Sequence, residues 1–192
     1  MRDQVPAVIA NLLDELDANR AMFDALCVLC RGAKLDQPTA EGGWTVGDHI
    51  AHIASYDQVL IAYLQPADDA PQPGALGSDA WNEEQVVRRA GHPPETLRRE
   101  MAGLRERSLD LLAALDDSAL RREIHHSGDE RREPGLIPLR LWLQRWSKHD
   151  MIHARAMLSA LPDLATHPDF QSWLADDPVL EALQRQEGSP DR

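Results

Sequence analysis

Apolar residues recur at three- and four-residue steps through four long stretches of the chain, and none alternates convincingly with the two-residue period of a strand. The first stretch runs from about Val5 to Arg31, where Val5, Ile9, Leu12, Leu16, Phe23, Leu26 and Cys30 share a helical face and Gly32 marks the stop. The second starts at Thr45, whose hydroxyl can take the amide proton of the third helical residue while Asp48 favours the positive end of the helix. It runs to about Leu64. Residues 65–79 hold Pro66, Pro71, Pro73, Gly74 and Gly77 and read as a loop, and a shorter helix over about Asp79 to Arg89 follows. Pro93 and Pro94 open a third long helix, striped by Leu97, Met101, Leu104, Leu111 and Leu115 and ending near Asp116. From Ser118 to Pro138 the chain turns polar and reads as an exposed connection; a fourth helix spans Pro138 to Leu161, before Pro162.

Each stripe must be buried against another, so the pattern predicts an all-α helix bundle with its core over residues 5–161. Short helices over 167–187, carrying Trp173, Leu174, Val179, Leu180 and Leu183, pack outside it, and the whole 1–192 is expected to be one domain. A net charge of −12, from 20 Lys and Arg against 32 Asp and Glu, argues against nucleic-acid and anionic-membrane partners, which require a basic face. No secretory h-region follows Met1, and no stretch reaches the ~18–20 apolar residues of a membrane span, so a cytoplasmic protein is expected. Cys27 and Cys30 close a helical apolar pattern with no second Cys-x-x-Cys, which favours a core role over zinc or redox chemistry.

Candidate chemistry lies on the inward faces of the second and fourth helices. His52 lines up with Tyr56, Val59 and Tyr63; Trp142, Trp146, His149, His153, Ala156 and Ala160 recur at helical spacing. Residues four apart on a helix point the same way, so one cation can touch both His149 and His153. A third imidazole from the second helix completes a three-nitrogen face with positions left open for a metal-bound water or thiolate, the pattern of catalytic rather than structural sites. Spacing alone does not separate His49 from His52 as that third ligand. Asp48 and Asp57 read as a cap and a polar helix position, Asp150 as a solvated residue or a group orienting an imidazole, and Arg145 as able to reach an anionic ligand. Trp142 and Trp146 read as core that can also wall a cavity, and His125-His126 as solvated loop residues.

The segment Trp44-Thr-Val-Gly-Asp-His-Ile-Ala-His52-Ile, followed by Tyr56-Asp57, resembles the Trp-Ser/Thr-x-x-Asp/Glu-x-Leu-x-His-Leu helix of the DinB/YfiT-like superfamily. His149-Asp-Met-Ile-His153 resembles its second motif, and Asp79-Ala-Trp-Asn82-Glu-Glu is similar to a segment often found after the second helix. The resemblance implies a four-helix bundle of up-down-down-up type, a divalent metal, zinc or nickel, on His52, His149 and His153, and a homodimer. It thus selects His52, leaving His49 at the rim or behind the ligands. It also implies an enzyme using a low-molecular-weight thiol on a small-molecule substrate, an S-transferase or related detoxification activity. A metal-dependent hydrolase, a non-catalytic bundle that sequesters a small molecule, and a structural bundle with an incidental metal are the alternatives. The stretch after Leu161 is too short to match the C-terminal domain of the family's isomerase group.

Overall fold

The first apolar stripe forms α1 (Ala7–Leu29). The computed structural model describes residues 6–40, 43–65, 76–126, 135–175, 177–178 and 181. Helix α2 (Val46–Leu64) starts as expected at Thr45, whose Oγ1 accepts from the Asp48 amide at 3.2 Å while the Asp48 carboxylate accepts from the Thr45 amide at 2.9 Å. The loop expected at 65–79 falls mostly outside the described residues. Ser78 caps α3 (Asp79–Arg89), and Pro94 occupies the first turn of α4 (Pro94–Ala113). Helix α4 stops before Asp116, which instead caps the short α5 (Asp117–Leu120) through the Ala119 amide at 2.8 Å.

Two expectations are corrected after α5. The connection up to Pro138 contains two antiparallel strands, β1 (Glu123–His126) and β2 (Gly135–Pro138), with Ile124 opposite Ile137. Ile124 is buried, and Arg122 just before β1 donates to the carbonyls of Tyr63 and Gln65 at the end of α2, tying the hairpin to the bundle. The fourth helix is also not continuous: it is split into α6 (Leu139–Trp146) and α7 (His149–Ala160). At the break the Ser147 hydroxyl donates to the Gln144 carbonyl at 3.0 Å, and Asn19 of α1 donates its amide to the Ser147 carbonyl at 2.7 Å, taking the acceptor that a continuing helix would use. Asn19 Oδ1 then accepts from Trp173 Nε1 at 2.8 Å, which docks α9 (Pro168–Leu174) after the short α8 (Pro162–Ala165). The remainder of the helices expected over 167–187 lies largely outside the described residues.

Helices α1, α2, α4 and α7 form the bundle, with α4 and α7 each packed against both α1 and α2. One apolar cluster joins the C-terminal half of α1 (Phe23, Leu26, Cys27) to the N-terminal halves of α2 (Ile50, Ile53) and α4 (Leu97, Met101) and to the C-terminal half of α7 (Met157, Leu158). The other joins the opposite ends: Ile9, Leu12 and Leu16 with Leu60, Leu64, Leu112 and the α6 tryptophans. The bundle therefore runs up-down-down-up. Between the clusters lies a charged belt with one residue from each helix: Arg20, Asp57, Arg105 and Asp150, all buried. Arg20 grips Asp150 through Nε at 2.8 Å and Nη2 at 3.0 Å; Arg105 grips Asp57 at 2.7 and 3.2 Å and donates to the Leu16 carbonyl at 2.8 Å. Asp150 is thus not on a solvated face, nor Asp57 merely a polar helix position. Two cations and two anions cancel, and bidentate hydrogen bonds compensate their desolvation. Cys27 and Cys30 are free thiols in the core, as expected. No described helix is long and apolar enough to cross a membrane.

Candidate metal centre

The fixed start of α2 and the reset start of α7 aim histidines at one another. His52 Nε2 lies 3.3 Å from His149 Nε2, and His149 Nε2 lies 3.1 Å from His153 Nε2. A ligand atom from each of the three falls within 4.8 Å of the others. The structure therefore brings together His52, His149 and His153. His49 is fully buried one turn before them; its Nδ1 is 2.8 Å from His153 Nδ1 and its Nε2 is 3.0 Å from Thr39 Oγ1. His49 sits behind the trio.

Aromatic rings enclose the centre. Tyr56 stacks on His149, with ring centres 4.2 Å apart, and on Trp146 at 4.6 Å. Trp142 follows at 4.5 Å from Trp146, so both tryptophans are core residues, and Trp146 also backs a histidine. Trp44 lies over His52 at 5.0 Å, His49 at 5.3 Å and His153 at 6.2 Å, its Nε1 pinned to Glu83 of α3 at 3.1 Å; Trp81 of α3 approaches Tyr56 at 6.2 Å. Thr39, Trp44 and Trp81 were not singled out as site residues from the sequence. Trp44 and Trp81 stand inside recognisable motifs that could have flagged them; Thr39 lies in no periodic segment. Arg145 is half-buried on α6, and Asp150 belongs to the charged belt. His125 is exposed on β1, as expected of a solvated residue, while the side chain of His126 lies outside the described residues.

Burial makes the cluster electrically neutral. It pushes His49 down to about 4, with Asp48 opposing. It carries His52, His149 and His153 well below their ordinary value, and each is lowered further by a neighbouring histidine of the cluster. A neutral imidazole has one N–H and one lone pair, and His149 Nε2 faces two other Nε2 atoms, so a hydrogen there serves only one of them. At least one lone pair then faces another nitrogen. A cation accepts all three: metal–imidazole bonds of about 2.0–2.1 Å at roughly 90–110° set neighbouring nitrogens about 2.9–3.4 Å apart. The 3.3 and 3.1 Å separations fall in that range. The trio could hold a divalent metal.

Four helices running up-down-down-up, with a histidine trio joining the second to the fourth, define a class of helical-bundle protein. The chain belongs to the DinB superfamily, whose family model matches residues 15–157. In structure it is similar to the mycothiol-dependent maleylpyruvate isomerase, with a TM-score of 0.64 at 17% identity over 91% of this chain and 69% of that one. A histidine-to-alanine mutant of that isomerase gives the same TM-score, 0.64, at 16% identity over the same shares. At such identities the likeness is one of fold. No curated protein matches the chain in sequence.

Proposed function

We propose that the chain is a metal-dependent enzyme that transfers a low-molecular-weight thiol to a small electrophile. The observation that carries this reading is the convergence of three neutral imidazole nitrogens at metal-ligand spacing. His52, His149 and His153 hold the cation; zinc or nickel suits an all-imidazole donor set. A divalent cation there supplies Lewis acidity and a place for the thiol sulfur. Tyr56 and Trp146 hold the plane of His149 by stacking, and Trp44, anchored by Glu83, covers the histidines on the side of α3 and limits water. The net reaction forms a sulfur–carbon bond with loss of the thiol proton and of the electrophile's leaving group. Support for a thiol over water comes from the fold shared with a mycothiol-dependent enzyme. The same reading has the protein work as a cytoplasmic homodimer.

Elemental analysis of natively purified protein, followed by turnover assays with a panel of small thiols and electrophiles, tests the proposal. Stoichiometric zinc or nickel and several product equivalents per chain are expected, with loss of both in His149→Ala. Metal with product never exceeding one equivalent indicates a binding protein; turnover without any thiol indicates a hydrolase. Absence of metal, with His52→Ala, His149→Ala and His153→Ala indistinguishable from wild type, overturns the site.

A further inference from the structure

The contacts behind the trio favour one arrangement of protons. The Thr39 amide reaches the Trp44 carbonyl at 2.8 Å and the Thr39 hydroxyl lies 2.9 Å from the same oxygen, which offers the single hydroxyl proton an acceptor away from His49. The 3.0 Å contact between Thr39 Oγ1 and His49 Nε2 therefore takes its hydrogen from the ring, and His49 carries its proton on Nε2. Its Nδ1 is then a lone pair. That lone pair lies 2.8 Å from His153 Nδ1, and such a contact requires the hydrogen on His153. With Nδ1 protonated, the neutral His153 ring keeps its lone pair on Nε2, the nitrogen facing His149 at 3.1 Å. Thr39 is itself held by the bridge between Pro38 and Thr45, which also sets the start of α2. By contrast, His52 Nδ1 is buried with no hydrogen-bond partner among the described residues, so nothing selects its tautomer in the same way.

We propose that His49 is a positioning residue: with Thr39 it fixes His153 as the Nδ1–H tautomer, keeping its Nε2 lone pair aimed at the cation. This rests on the metal reading above. The trio is then unequal before metal arrives, His153 being prepared as a ligand and His52 having to select its tautomer on binding.

Two-bond proton–nitrogen correlation spectra of the metal-free, nitrogen-15-labelled protein above pH 7 report the tautomer of each ring. The expected result is His153 protonated on Nδ1. His49→Leu should release that preference and weaken zinc binding about 10–100-fold by competition titration. His49→Asn, whose carbonyl can stand near the position of Nδ1, should recover most of the loss, and Thr39→Val should give a smaller loss than His49→Leu. A wild-type His153 protonated on Nε2 overturns the proposal, and that spectrum needs no variant to fold. Zinc affinity in His49→Leu equal to wild type overturns the role of His49 while the metal reading stands. A wild type showing the expected tautomer but taking up neither zinc nor nickel overturns the metal reading and, with it, the role assigned to His49.

Discussion

Burial opposes charge in both clusters, and the belt stays charged because its groups are paired. The four histidines of the centre are held neutral, with His49 near 4, whereas Asp150, which burial alone would raise, is held down to about 2 by Arg20 and Arg105. Histidines unfolded titrate near 6.5, so as pH falls from about 6.5 towards 4 the unfolded chain binds protons that the folded one refuses. Stability of the metal-free protein should therefore be highest above pH 7 and fall through that window. Asp150 behaves otherwise: its stabilising charge is intact above the ordinary carboxylate range and is lost only as pH drops towards 2. Urea midpoints measured in chelator from pH 7.5 to 4.5 check the assignment, and a flat profile would rule it out. Metal retention should fall over the same range, because protons and cation compete for the same lone pairs. In the belt, Asp150→Ala strands Arg20 between one remaining carboxylate and apolar neighbours, and should destabilise by roughly 3–5 kcal/mol in urea unfolding.

Among the elements, the interruption between α6 and α7 has the largest consequences. Asn19 bonds both the Ser147 carbonyl and the Trp173 indole, so Asn19→Ala leaves a buried carbonyl and a partly buried indole without that partner. It should lower stability by roughly 1–3 kcal/mol and make the α9 region cleave earlier in limited proteolysis; unchanged cleavage would show that α9 is held by other contacts, such as Arg155 to the Leu174 carbonyl. The start of α2 was legible in the sequence because its signal is local, Thr45 with Asp48. The interruption was not, since Ser147 and Lys148 are compatible with a helix and Asn19 lies 128 residues away. The hairpin was hidden for another reason: strands of four residues show too few alternations to stand out from a polar connection.

At the scale of the whole molecule, the bundle and the His149–His153 pair were readable because both rest on helical periodicity, stripes that must be buried and two histidines one turn apart; the choice of His52 over His49 came from the resemblance to the DinB/YfiT-like superfamily. The belt was not readable. Arg20, Asp57, Arg105 and Asp150 look like ordinary surface charges until four helices are assembled, and the pairing that neutralises them links residues up to 130 positions apart. That belt also separates the interior into two apolar halves. A layer of fixed ion pairs cannot flow into a void as aliphatic side chains do, so repacking in one half is not relayed to the other. Ile9→Val in one half and Ile50→Val in the other should each lower stability by about 0.5–1.5 kcal/mol and sum in the double variant to within about 0.5 kcal/mol. Ile50→Val with Ile53→Val, on the same side, is the pair expected to depart from additivity. Thermodynamically, one bundle then contains two interiors that tolerate change independently, each able to drift in sequence without consulting the other.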